Sequence, residues 1–377
     1  MRHLLIFVLL STSSAFAVGD EFTDAITTIQ KIKLHGAGNV AAIKAVRTLS
    51  SAPADQLPNI LVAMTKGNDI PNNWLRAAAE SVADRARKSK TSLPYADLQK
   101  VLDDSSNPPR GRELAFVWLV ESKGAEFRSR MLNGMRNDPS LELRRQAIAR
   151  GVDQFEKKNL AGSEAIAELR GLLRSARDVG QIEDLTKRLE ERNETVDLPL
   201  LFGFVTDWHL VAPFDNTNKS GFDKIYPPER SVDLTESYNG KAGKKVAWVV
   251  HSTDDQFGMV NLKGVFGKNK GSVAYAFVEF NAVEARPADL RLGCINANKI
   301  WLNGKMMTAN HVYHSGTAID QYTAQGQLRK GRNEILLKIC ENEQEENWAQ
   351  DWQFQFRVCD ELGTALLSKD RLDAQSQ

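Results

Sequence analysis

Cysteine is scarce in this sequence: three residues, Cys294, Cys340 and Cys359, in 377. Three are too few for a disulfide framework, and all lie in the C-terminal half. Cys294, in "LRLGCI", shares a strand face with Leu290 and Leu292 and reads as a buried free thiol. Cys340 and Cys359 each end a strand-like run. Sequence leaves open whether they pair, because it does not show whether their Cβ atoms meet. Charge of one sign is also lacking. The formal net charge is +1, with 26% of residues charged. That balance argues against nucleic acid or another partner held by bulk electrostatics. Long apolar runs are absent beyond the first residues, so no later segment is expected to span a membrane. Gly-x-Ser-x-Gly, His-Glu-x-x-His, P-loop and dinucleotide fingerprints are missing as well.

The beginning, "MRHLLIFVLLSTSSAFA", has the form of a secretory leader over residues 1–17. Arg2 supplies the positive end, Leu4 to Leu10 the short apolar core, and Ala15-Phe16-Ala17 a small-x-small cleavage site. A secreted or periplasmic location is the expectation.

Residues 18–195 read as successive helices separated by short breakers such as "KGNDIPNN", "DDSSNPPRG" and "RNDPS". "IEDLTKRLEER" sets Ile182, Leu185 and Leu189 on one face. Connections this short make neighbours antiparallel. Three segments share a plan of Asp, a Pro-containing turn, then Arg with Ala three residues on: Arg76/Ala79, Arg112/Ala115 and Arg144/Ala147. The Asp suits an N-cap, the Pro a helix start, and the Ala a close helix approach. Such a repeat marks stacked helical hairpins. From Asp69 to Arg174 it resembles the HEAT-like family, most clearly in "DPSLELRRQAI". The alternative is an irregular bundle.

Near Thr195 the period changes to that of strands. Residues 196–368 are expected to form an all-β sandwich of eight or nine strands, with 369–377 a polar tail. "VAYAFVEF" is apolar on both faces, as in a buried strand. "WQFQFRV" alternates, with Trp352, Phe354, Phe356 and Val358 on one side. In "KIWLNGKM", Asn303-Gly304 has the chemistry of a two-residue type I′ hairpin, which needs positive φ at both positions.

These runs resemble the galactose-binding-like jelly-roll found in β-galactosidases and carbohydrate-binding modules. The marks are Tyr275/Phe277, Gly293/Cys294, Trp301-Leu302-Asn303-Gly304, and Gly331, Asn333, Leu336 and Lys338. The upstream "DWHLVAPFDN…YPPE" is similar to the opening of such domains in secreted proteins of planctomycete-like bacteria. The resemblance spans Thr206 to Asp360. It implies fold more than function, because its marked residues are strand cores and turns. The fold class expected is therefore a multidomain chain, an N-terminal HEAT-like α-solenoid followed by an all-β jelly-roll sandwich.

No catalytic constellation emerges. His311 and His314 in "HVYH" would point apart in a strand or loop, without a third ligand. His251 with Asp254 and Asp255 could gather oxygens for Ca²⁺, but a solvated turn is the reading preferred. No other cofactor is expected. Two loops carry part of a glycan site's chemistry, an exposed aromatic beside acceptors. One holds Asp254, Asp255 and Gln256. The other holds Asn347, Trp348 and Asp351, with Trp348 either an exposed ring or a cover for one end of the core. The leading expectation is a secreted, non-enzymatic protein whose jelly-roll recognises a glycan or other cell-surface ligand. A protein-binding scaffold acting through the helical domain, and a hydrolase, are the alternatives.

Overall fold

The computed structural model describes residues 14–33, 36–67 and 69–375. The expected leader falls mainly on residues 1–13, outside the described residues. Among the described residues no helix is long and apolar enough to cross a membrane. The chain divides into two compact units, Met1–Arg192 and Asn193–Gln377. The first is helical and the second is built on β-sheets.

The helical unit contains α1 (Ser14–Gln30), α2 (Asn39–Ser50), α3 (Leu57–Val62), α4 (Asp69–Lys88), α5 (Tyr95–Asp103), α6 (Pro109–Asn133), α7 (Leu141–Lys158), α8 (Gly162–Ser175) and α9 (Val179–Glu190). From α5 to α9 each helix packs on the next. Ala79, Ala115 and Ala147, the shared small positions, are all buried. Gly111 shows why α6 needs a small residue near its start: a Cβ there would lie 2.3 Å from the Leu61 carbonyl oxygen.

The repeated Arg does not play one role. Arg112 is buried and makes a two-pronged ion pair with Asp138, at 2.6 and 2.7 Å. Arg144 donates through Nε to the Asp138 carbonyl at 2.9 Å. Arg76 is exposed and pairs with Glu80 on its own helix. The expected Asp cap is also displaced. Ser140 caps α7 by accepting from the Leu143 amide at 3.2 Å, while Asp138 is spent on Arg112 and the Ser140 amide. A buried guanidinium needs a carboxylate partner more than a helix end needs this particular cap.

The second unit opens with α10 (Leu198–Phe202) and β1 (Asp207–Asp215), then β2 (Ser237–Asn239), β3 (Lys245–Ala247), β4 (Val249–Ser252), β5 (Val260–Asn261) and α11 (Leu262–Phe266). The long strands follow: β6 (Ser272–Ala282), β7 (Arg286–Cys294), β8 (Ala297–Leu302), β9 (Lys305–Asn310), β10 (Tyr322–Leu328), β11 (Gly331–Glu341) and β12 (Gln353–Cys359). One antiparallel sheet has the order β4-β1-β6-β11-β8-β9 and a second β10-β7-β12-β5, with β2-β3 a separate ribbon. Among the described residues twelve strands thus replace the eight or nine expected, because β2, β3 and β5 are only two or three residues long. The expected polar tail includes a short helix, α12 (Lys369–Gln375), set against β6.

Trp352, Phe354, Phe356 and Val358 do face the core between the sheets, with Leu210, Ala276, Leu290 and Leu337. The six-stranded sheet is buried on its other face too. There Phe214, Tyr275, Phe277 and Trp301 pack under Phe222, Tyr226, Tyr238 and Val246 from the segment between β1 and β4. This second layer explains why β6 is apolar on both sides. It is pinned by Lys338, fully buried, whose Nζ donates to the carbonyls of Phe222 and Lys224 and to Glu229 at 2.8–3.0 Å. Burial lowers the Lys338 pKa, and the Glu229 carboxylate opposes that shift. Asn303 and Gly304 have φ of 52° and 77°, and Leu302 pairs with Lys305 across them, the two-residue hairpin expected.

All three cysteines are free and buried. Cys340 faces the outer layer with Tyr226 and Trp301. Cys359 follows the inward-facing Val358 and so points to the far side of the other sheet. The two thiols face away from each other, which rules out their pairing. Burial pushes each up to about 12.

Candidate functional site at one rim of the sandwich

Four segments meet at one end of the sheets. β11 stops at Glu341, which pairs with Ser272 at the start of β6, and Ser272 pairs with Asp215 at the end of β1. The loops leaving these points are stitched together. The Asn216 amide donates to the Gly271 carbonyl at 2.8 Å, and the Gly271 amide to the Asn342 carbonyl at 2.9 Å. The Asn216 side chain reaches the Glu341 carbonyl at 2.7 Å and the Tyr313 hydroxyl at 3.2 Å.

The loop from Asn342 to Asp351 is held from beneath. Ala349 is buried and Trp352 returns to the core, its Nε1 donating to the Ile339 carbonyl at 3.4 Å. Lys270 donates from below to the Ala349 carbonyl and to the buried Glu341 carboxylate. Burial raises the Glu341 pKa, with Lys270 pulling it back. Between these anchors one turn, Asn347–Ala349, directs Trp348 outward, 58% exposed. The fixed loop and the exposed ring are the two properties a platform needs.

His314 braces that ring. Its imidazole meets the indole edge-on, with centroids 4.8 Å apart and planes at 85°. Its Nε2 contacts the Asn342 amide at 3.0–3.2 Å, and Asn342 also donates to Gln344 at 2.7 Å. Tyr313 stands beside it, with the Lys219 ammonium 5.2 Å over its ring. Around Trp348, Asn347 and Asp351 are exposed and make no side-chain hydrogen bond among the described residues. Gln350 is spent on the carbonyls of Glu345 and Glu346. The arrangement offers an apolar ring face beside unoccupied polar groups.

The other expected loop does not join this site. Asp254 and its neighbours follow Ser252, which pairs with Asp207, the first residue of β1. That is the opposite end of the strand from Asp215. Asp255 accepts from the amides of Phe257 and Met259 at 2.8 and 3.1 Å, so it shapes its own turn. Asp254 and Gln256 are exposed. Among the described residues no three His, Cys, Asp or Glu side chains gather to hold a metal ion. His311 stacks on Phe222 at 4.1 Å, and Tyr313 lies between it and His314, 5.7 Å from the first imidazole and 6.4 Å from the second. Sequence reasoning missed His314 as a brace and Tyr313, Asn342 and Lys219 as neighbours. The signal in "HVYH" was aromatic rather than metal-binding.

No family model matches this chain, and no curated protein matches it in sequence. Solved structures do align with parts of it. A β-glucosidase from Kluyveromyces marxianus in complex with glucose is 12% identical, with a TM-score of 0.20, over 28% of this chain and 12% of that one. A family 35 carbohydrate-binding module from Clostridium thermocellum is 13% identical, with a TM-score of 0.18, over 23% of this chain and 71% of that one. An FMN-binding β-glucuronidase from Facaelibacterium prausnitzii L2-6 is 12% identical, with a TM-score of 0.23, over 33% of this chain and 21% of that one. The match thus spans only a small part of either glycosidase. At such scores neither fold nor activity transfers.

Proposed function

We propose that the β unit is a glycan-binding module and that the Trp348 rim is its site. The observation that carries this reading is an indole 58% exposed on a loop whose two sides are anchored in the core. An exposed tryptophan costs hydrophobic stabilisation unless something covers it. A sugar ring supplies a matching apolar face, and its hydroxyls suit Asn347 and Asp351. The galactose-binding-like jelly-roll resemblance of the sequence points the same way.

In this reading the protein is secreted or periplasmic, non-enzymatic and without a required cofactor. The helical unit serves as a HEAT-like scaffold that presents the module. The buried Ala79, Ala115 and Ala147, the small position the three segments share, support that repeat. A glycan array probed with the purified full chain tests the binding claim. Concentration-dependent binding to a restricted set of glycans is expected, and silence across the array contradicts it.

A further inference from the structure

A second cleft lies at the other end of β1, within the β unit and away from Trp348. We propose that it binds a small organic cation with an apolar body. The cleft has a volume of about 380 Å³. That falls in the range of small-molecule sites, roughly 300–1,000 Å³. Its walls are the stretch entering β1, the middle of β6 and the C-terminal segment before α12. Phe204, Val205, Val278, Phe280 and Leu366 supply the apolar surface.

The C-terminal wall is fastened, not draped. The Leu366 amide donates to the Val358 carbonyl at 2.9 Å, and the Asn281 amide to Ser368 Oγ at 3.0 Å. Arg371 donates to the Phe204 carbonyl. Gly203, with φ of 76°, lets the chain pass beneath: a Cβ there would lie 2.9 Å from that of Ala365. The cleft is therefore a preformed shape.

Its charged groups are mostly carboxylates. Asp207, Glu279 and Asp370 line it, against the single cation Arg371. Arg332 offsets Glu279, to which it donates at 2.6 Å. Asp207 accepts only from hydroxyls, Thr206 Oγ1 at 2.9 Å and Ser252 Oγ at 2.5 Å. Asp370 accepts from Asn281 Nδ2 at 2.7 Å and from Ser368 Oγ at 3.2 Å. Among the described residues neither Asp207 nor Asp370 has an ion-pair partner. Asp207 and Asp370 stand exposed at the edge of this apolar cleft, free to accept from a cationic donor, and so favour a ligand that brings a positive charge on an apolar body. Neutral molecules of the same shape gain only the apolar part, and anions are repelled.

Isothermal titration of the full chain with phenethylamine, 2-phenylethanol and phenylacetate tests this. Phenethylamine should bind roughly tenfold more tightly than the alcohol, the scale of one charge-assisted hydrogen bond. Phenylacetate should bind most weakly. Asp207→Asn should remove most of the amine's advantage and leave the alcohol unchanged. Leu366→Trp should fill the cleft and weaken both. If that variant fails to fold, Asp207→Asn still decides. Equal binding of the three compounds, no binding of the amine, or an amine advantage that survives Asp207→Asn overturns the proposal.

Discussion

The imidazole of His314 stands edge-on to the indole of Trp348, 4.8 Å between centroids and 85° between planes. His314 itself has φ of 59°, in the left-handed region that Asn tolerates better than most side chains. His314→Asn therefore removes the brace while keeping the backbone. Edge-to-face contacts of this kind are worth about 0.5–1.5 kcal/mol. We expect glycan affinity to fall by about that amount, measured by titration, with little change in melting temperature. Unchanged affinity would mean that the ring needs no support from His314.

In the helical unit, Gly111→Ala would drive a Cβ to within 2.3 Å of the Leu61 carbonyl oxygen. Backbone cannot step aside as a side chain can, so the variant should lose about 1–3 kcal/mol. Gly171→Ala is the contrast, since the nearest atom to its Cβ is the Arg174 guanidinium at 3.9 Å. It should stabilise the protein by about 0.5–1 kcal/mol through helix propensity. Urea unfolding of both variants measures the difference, and equal effects would contradict the close approach of α6 to α3.

Asp320 predicts a pH dependence. Burial raises its carboxyl pKa, but hydrogen bonds and charge from Arg357 and Arg291 outweigh that and hold it below the ordinary 3.8. The folded carboxyl thus binds its proton less readily than the unfolded one. Its stabilisation is complete above the ordinary value and is lost as pH falls through the depressed one. Asp320→Asn should cost about 1–3 kcal/mol at pH 7, the scale of hydrogen bonds to charged groups. Below pH ~4 the gap between variant and wild type should narrow. Melting curves across that range check it, and a constant gap would contradict the assignment.

Much of the fold was legible because it rests on local rules. The Asn303-Gly304 hairpin follows from two positive φ values. The core face from Trp352 to Val358 follows from period two. The outer layer was not legible, since nothing local says that Phe222 and Tyr226 fold back over β6, or that Lys338 is buried to hold them. Asp138 was misread for a similar reason: its partner Arg112 lies 26 residues earlier. The candidate site was legible only in part. Trp348 stood out because it lies among Asn347, Gln350 and Asp351 in the polar loop, before the alternating core face that Trp352 begins. His314 and Asn342 reach it from loops 28 residues apart, and the separation of the Asp254 loop depends on strand register.

The central claim is that Trp348 is a ligand platform and not core. Trp348→Ala, titrated with a glycan bound by the wild-type chain and melted in parallel, tests it most directly. The account predicts a loss on the order of 1–3 kcal/mol in binding, the scale of burying a large apolar side chain, with the melting temperature nearly unchanged. A drop of several degrees in melting temperature, or glycan binding equal to that of the wild type, would contradict it.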